Sequence, residues 1–390
     1  MINTSAIQCR ACGLAVVVAS VTAVSVYFLA NHLLISGDSP TPADLPSAAN
    51  VTGSRASPSL QLVTIFSRHG NTGPHVTYDT YPYPANDTGV WPHGPDELTQ
   101  TGRAQMYNLG VKVRSLYNGF LSPYYKEELR ATSTTTDQTL VSAELFLAGL
   151  YPPRGYDLWD RRVLWQPIPV FPNYHDHSEL TFPVNSQTCL RFHEAQMESL
   201  AQFLERYGPD MTAVLRQVQN LSGIDVFGYR LDSGSPALLD SMWMLWENII
   251  HAVNEGLVLP DWLKSVYPEP TRTLVAKMVK AYSFQSDTTI RLNQGLLFQD
   301  MVRQMKISTR NSVSSQKRLY YHSGHENTLY GLAGILGLDV DFMPFAETAS
   351  ALLLELHRDI LSGQHYVQVL YLDGSSPDLE PLDMDVPGCD

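Results

Sequence analysis

From Leu14 to Ala30 the chain runs for roughly 17 residues without a charge, just enough to cross a bilayer, and apolar character resumes at Leu33, Leu34 and Ile35. Residues 37–59 then carry no apolar period and are rich in Pro, Ser, Ala and Asp, which predicts a flexible linker. Leu60 to Phe66 is a short apolar run of strand formers ending at Ser67, Arg68, His69 and Gly70. Such a run predicts a buried strand that delivers polar residues at its C-terminal tip, where open α/β sheets place ligands. A second strand pattern, Leu319 to Gly324, ends at His325-Glu326 and is followed by a helical pattern from Leu329 to Leu336.

Between these two tips, Leu98-Thr99-Gln100-Thr101 offers a helix cap, with Met106, Leu109, Val113 and Leu116 following at helical spacing. Residues from about 190 to 300 are mostly helical in pattern, Ser241 to Leu257 for example, and read as an inserted helical layer. Tyr366 to Leu372 is a late strand. The expected fold class is α/β, a core sheet flanked by helices, in one domain over residues 60–390.

The N-terminal segment, residues 1–36, has two readings. Arg10 precedes the apolar run and no Lys or Arg follows it until Arg55, so a retained segment is a type II signal anchor. The small residues Ala19, Ser20 and Ala23 equally permit cleavage as a signal peptide. Either way the bulk of the chain is expected in the secretory pathway, lumenal or extracellular. The triplets beginning at Asn50, Asn86 and Asn220 are glycosylation sequons that acquire meaning there. Cys9 and Cys12 beside the apolar run read as palmitoylation sites or a plain thiol pair. Cys189 and Cys389 would form one disulfide if they meet in an oxidising lumen.

Charge narrows the partners. Twenty-six basic against 39 acidic residues give a formal charge of -13, which repels nucleic acid. The same field repels a free phosphate ester, so phosphate chemistry would need a local cluster of cations. The two strand tips supply every role except the full cation set. A phosphomonoester needs cations around its oxygens, an in-line nucleophile and an acid for the leaving alcohol. Arg68 offers a planar fork suited to phosphate, and His69 an imidazole that can take the phosphoryl group. His325 can bind a phosphate oxygen, and a protonated Glu326 can protonate the departing one. No Gly-x-Ser-x-Gly elbow or Gly-Lys-Ser/Thr phosphate loop competes with this assignment. His175-Asp176-His177 has metal-like spacing but reads as a solvated loop, and His322 as part of the phosphate site.

The run from Leu62 to Pro74, with Arg68-His69-Gly70 at its centre, resembles the signature of the histidine acid phosphatases, particularly the animal lysosomal and prostatic type. The likeness continues at Trp91-Pro92-His93-Gly94, Leu98 to Gly102, Thr139 to Ala143, Leu164 to Val170, Leu259 to Trp262, His322 to Glu326 and Val386 to Cys389. The resemblance implies a phosphoglycerate-mutase-like fold with an inserted helical region, a phosphohistidine intermediate, no metal or other cofactor, and often a homodimer. Carried over by position, it makes Arg68 and His325 phosphate ligands, His69 the nucleophile and Glu326 the proton donor of a small-molecule phosphate ester.

Two positions depart from the pattern in a way that matters for charge. The second arginine of the signature is Thr72, and a further phosphate-binding arginine aligns with Thr132. Each lost hydrogen bond to a charged group removes roughly 1.5 to 3 kcal/mol. Together they remove on the order of a hundred- to ten-thousand-fold in rate. Arg130, two residues earlier on the same strand face, is the candidate replacement, its anchor displaced by roughly 6 to 7 Å. His75 is a second candidate cation. The expected activity is therefore phosphomonoester hydrolysis in weakened form. The alternative is a catalytically impaired phosphatase-like protein that binds a ligand or partner in the cleft. With fewer arginines nearby, the pKa of His69 is expected to rise and activity to shift toward neutral pH.

Overall fold

The computed structural model describes residues 54–177, 189–228, 236–310, 317–338 and 347–389. The expected anchor or signal peptide, Cys9, Cys12 and Asn50 lie outside them. Among the described residues, no helix is long and apolar enough to cross a membrane. Asn86 and Asn220 are exposed.

The apolar run at residue 60 forms β1 (Leu60–Arg68), the central strand of a seven-stranded sheet. The others are β2 (Leu129–Ser133), β3 (Val170–Pro172), β4 (Leu319–Gly324), β5 (Ala351–Arg358), β6 (His365–Leu372) and β7 (Pro381–Asp383). Their order is β3-β2-β4-β1-β5-β6-β7. The β3, β2, β4 and β1 strands pair in parallel, whereas β5, β6 and β7 continue antiparallel from β1. The expected α/β class is therefore met by a mixed sheet.

Alternation along β1 shows why the strand is apolar throughout. Val63 and Ile65 pack with α1 (Gln100–Leu116) and α2 (Asp137–Leu150) on one face. Leu62 and Phe66 pack on the other face with the long helical segment. That segment comprises α3 (Leu190–Ser222), α4 (Ala237–Asn254), the short α5 (Asp261–Lys264), α6 (Thr271–Ser283) and α7 (Asp287–Arg310). A strand covered on both sides needs apolar residues at every position, not alternate ones. The last helix, α8 (Glu326–Ile335), springs from the tip of β4.

Two expectations are corrected here. Cys189 and Cys389 are free thiols. A disulfide needs sulfurs about 2 Å apart. Cys189 instead sits half-buried at the N-cap of α3, whereas Cys389 is exposed in the turn after β7, where neighbouring Pro387 packs by Gly337. The expected linker also ends early: Arg55 donates two hydrogen bonds, 2.6 and 2.8 Å, to Glu355 on β5. Its backbone N–H donates to the Leu116 carbonyl at 2.7 Å. Burial raises the Glu355 pKa, but hydrogen bonds from His357, Arg55 and Tyr117 outweigh it and hold the group down to about 2.

Candidate active site

Parallel pairing of β1 with β4 sets Arg68 opposite Gly324, and the His69 N–H donates to the Gly324 carbonyl at 3.0 Å. The residues that follow each strand are thereby forced together. The His69 and His325 rings meet edge to face with centroids 5.5 Å apart. Arg68 Nε lies 3.2 Å from Glu326 Oε2, with both side chains mostly buried. Arg68, His69, His325 and Glu326 thus form one cluster. His325 is the N-cap of α8, so the cluster sits at the positive end of a helix, a natural place for an anion.

The signature loop is held by close backbone contact. A Cβ on Gly70 would stand 2.2 Å from the Gly102 carbonyl oxygen, so only glycine lets the loop rest on the first turn of α1. The expected cap is present there: Thr99 Oγ1 accepts from the Gly102 N–H at 3.0 Å. The Gly70 N–H donates to Ser142 Oγ at 3.1 Å.

The tautomer of His69 follows from its neighbour. Its Nδ1 lies 2.8 Å from the Gly70 carbonyl oxygen, which can only accept, so Nδ1 carries the proton and Nε2 keeps its lone pair. Burial, reinforced by Arg68 and His325, lowers the His69 pKa to about 3 against the opposing pull of Glu326 and Gly70. Desolvation is the largest cause, so the ring is held below its ordinary range even with Arg68 as the nearest arginine. Glu326 shows the reverse balance. Burial raises its pKa, yet Arg68, His69 and His325 outweigh burial and leave it lowered.

Thr134 fixes His325. Its hydroxyl donates to Thr139 Oγ1 at 2.8 Å and lies 3.2 Å from His325 Nε2, so it is placed to accept a proton from that nitrogen. The His325 backbone N–H donates to Thr328 Oγ1 at 3.1 Å.

Threonines stand at the two positions where the resemblance implies arginines. Thr72 is buried, and its carbonyl accepts from His251 Nδ1 at 2.8 Å, while His251 Nε2 lies 3.1 Å from Glu247. Beside it, Asn71 donates to Glu255 at 2.6 Å, so the signature loop is tied to α4 and the residue just after it. Thr132 Oγ1 lies 3.0 Å from His322 Nδ1 and 3.2 Å from the Tyr321 carbonyl. His322 Nε2 in turn donates to Asp176 Oδ2 at 2.8 Å. Asp176 also accepts from Thr328 Oγ1 at 2.8 Å and Gln294 Nε2 at 3.1 Å. Asp176 is therefore buried, contrary to the solvated loop expected of it, because His322 and Thr328 give a carboxylate enough donors to leave water.

The two candidate replacement cations lie apart from this cluster. The exposed Arg130 guanidinium stacks 3.7 Å over the Phe171 ring. Its register partner is Tyr320, four pairs below the level of Arg68 on the sheet. His75 pairs at 2.6 Å with Asp96 on the exposed surface, and that hydrogen bond raises its pKa. Sequence reasoning missed two acids: Asp176, and Glu347, which is held by Arg272 at 2.9 Å and lies in the field of Arg68. Burial raises the Glu347 pKa. Neither carries a local motif, and each acquires its partner only through the fold.

Residues 59–372 match the model of the histidine phosphatase superfamily, branch 2. The human prostatic acid phosphatase is 32% identical over 337 residues, covering 85% of this chain and 81% of that protein. The lysosomal acid phosphatase of Xenopus laevis is 31% identical over 344 residues, covering 85% and 73%. Among solved structures, the Hafnia alvei phytase in complex with tartrate superposes with a TM-score of 0.62 at 17% identity, covering 85% of this chain and 92% of that one. That likeness bears on the fold, and supports the expected core sheet with helices on both faces. With the family match spanning most of its length and relatives of this identity beside it, the chain belongs to the histidine phosphatase superfamily, branch 2.

Proposed function

We propose that this protein hydrolyses small phosphate monoesters through a phosphohistidine on His69. The observation that carries the reading is the state of that ring. Nδ1–H is spent on the Gly70 carbonyl, and burial keeps Nε2 unprotonated in acid, beside Arg68 and His325. Nε2 attacks phosphorus while Arg68, His325 and the N-terminus of α8 take the charge on the non-bridging oxygens. The leaving oxygen takes the proton of Glu326. Water then attacks the phosphohistidine, gives a proton back to Glu326, and inorganic phosphate departs.

Glu326 must be protonated for the first step although its pKa is lowered in the free site. A dianionic ester resolves this: it engages Arg68, and its own negative charge favours the protonated carboxyl. The relatives named prostatic and lysosomal acid phosphatases support the same chemistry and a secretory-pathway location. The second reading, an impaired phosphatase-like binding protein, draws on Thr72 and Thr132, which place neutral hydroxyls where the resemblance implies arginines.

The test is hydrolysis of an aryl phosphate by the purified chain across acid to mildly alkaline pH, beside His69→Ala. Turnover abolished by the substitution supports the enzyme. No turnover in the parent, restored by Thr72→Arg/Thr132→Arg, favours the binding protein.

A further inference from the structure

Asp176, in the loop after β3, is buried, and β4, α7 and α8 all send a donor to it. His322 of β4 and Thr328 of α8 donate to Oδ2, each at 2.8 Å, and Gln294 of α7 donates to Oδ1 at 3.1 Å. A buried carboxylate engaged in this way is a fixed point, because its hydrogen bonds are charge-assisted and moving it would strand the donors. Gly324 permits the approach: a Cβ there would strike the Thr328 hydroxyl and stand 3.1 Å from Asp176 Oδ2.

From this point a polar path leads into the phosphate cluster. With its proton given to Asp176, the Thr328 hydroxyl presents its lone pairs, and it accepts the His325 backbone N–H at 3.1 Å. Thr328 and His325 also close a capping box, in which the His325 ring accepts the Thr328 backbone N–H. Nε2 of that ring faces Thr134 at 3.2 Å, so Nδ1 is the accepting nitrogen and Nε2 carries the N–H that a phosphate oxygen would meet. Glu326 stands in the same turn, between the N-cap His325 and Thr328. In the other direction the path continues from Asp176 through His322 to Thr132, 3.0 Å from His322 Nδ1.

We propose that Asp176 is a positioning residue for the reaction: acting through the Thr328 hydroxyl, it fixes the turn that aims the His325 ring and the Glu326 carboxyl at the substrate. The inference rests on the phosphatase reading, which makes His325 a phosphate ligand and Glu326 the acid, and adds a residue that touches neither substrate nor reacting atoms. A turn held at both its N-cap and its third helical residue keeps the acid in line with the leaving oxygen, where small displacements are costly in rate.

The test follows the ratio of kcat for an alkyl phosphate, whose leaving group needs the Glu326 proton, to kcat for a nitrophenyl phosphate, whose leaving group does not. That ratio is independent of the fraction of chain folded, so lost stability alone does not move it. Asp176→Asn and the near-isosteric Thr328→Val are expected to lower it by about tenfold, whereas Thr328→Ser, which keeps the hydroxyl, stays within about twofold of the parent. Added to Glu326→Gln, Thr328→Val lowers the ratio little further, because the group it positions is already gone. A parental ratio in Thr328→Val, or an equal loss in Thr328→Ser, overturns the proposal. A chain that hydrolyses neither ester defeats the phosphatase reading, and the positioning is then read from the ¹⁵N resonances of the histidine rings, with His325 assigned through His325→Gln. The parent is expected to show His325 protonated at Nε2 and not at Nδ1, and Asp176→Asn and Thr328→Val to shift both resonances. His325 resonances unchanged in both variants sink the proposal.

Discussion

The tips of β1 and β4 and the wall made by β2 belong to one sheet, yet they hold their polar groups by different means. At the tips, charged groups face one another: Arg68 lies 3.2 Å from Glu326, and the His69 and His325 rings meet at 5.5 Å. On the β2 wall, Thr132 passes its hydroxyl to His322, and His322 passes its proton donor to a buried carboxylate. The first arrangement leaves its charges available to a ligand, whereas the second satisfies them internally. Thr132, where the resemblance implies an arginine, thus leaves no hole in the hydrogen bonding. The wall is a closed network with a cavity beside it.

The comparison is broken most severely at the tips. His69→Ala should reduce aryl phosphate hydrolysis by on the order of a thousandfold or more, since it removes the ring whose Nδ1–H is held by the Gly70 carbonyl and whose Nε2 lone pair is left to attack. Steady-state rates check it. Glu326→Gln should cost roughly 10² to 10⁴ in kcat for alkyl phosphates and far less for a nitrophenyl ester, whose leaving group needs no proton. Equal losses for both esters would remove Glu326 from the acid role.

On the β2 wall the effect should appear first in stability. Asp176→Ala strips the partner from His322 and from two further donors, and should cost about 3 to 5 kcal/mol, read from urea unfolding. Thr72→Arg/Thr132→Arg sharpens the contrast in the opposite direction. It should raise kcat/KM for a plain aryl phosphate by about tenfold or more. A null result would mean that the closed network cannot be reopened to a cation.

The pH dependence carries the same division. His69 must be neutral, so activity fails on the acid side as pH falls toward about 3. Glu326 must be protonated, so activity fails on the alkaline side as that carboxyl ionises in the complex. The optimum is expected to be acidic, not neutral. Away from the cleft, Glu355 is depressed in the folded state to about 2. Its stabilisation is present above the ordinary carboxylate range and is lost as pH falls from about 4.5 toward 2, measurable as a declining unfolding midpoint.

The elements most readable in the sequence are those fixed by local pattern. The continuous apolar run of β1, the Thr99 cap and the late strand all stand within a few residues of where the pattern sets them. The two tips were legible because each carries its polar residues immediately after an apolar strand. Asp176 was not, because a loop aspartate declares its burial only when His322, 146 residues away, arrives beside it. The same holds for Arg55, whose role depends on Glu355 some 300 residues on. Arg130 misled for a related reason: a two-residue offset keeps the strand face but not the level, and Phe171 claims the guanidinium at its actual level.

The most direct test of the central claim is chemical trapping. Rapid denaturing quench of the chain with a ³²P-labelled aryl phosphate should leave label that is stable in base and labile in acid, located on His69 and absent from His69→Ala. Turnover without such label, or label that persists in the variant, would contradict the account.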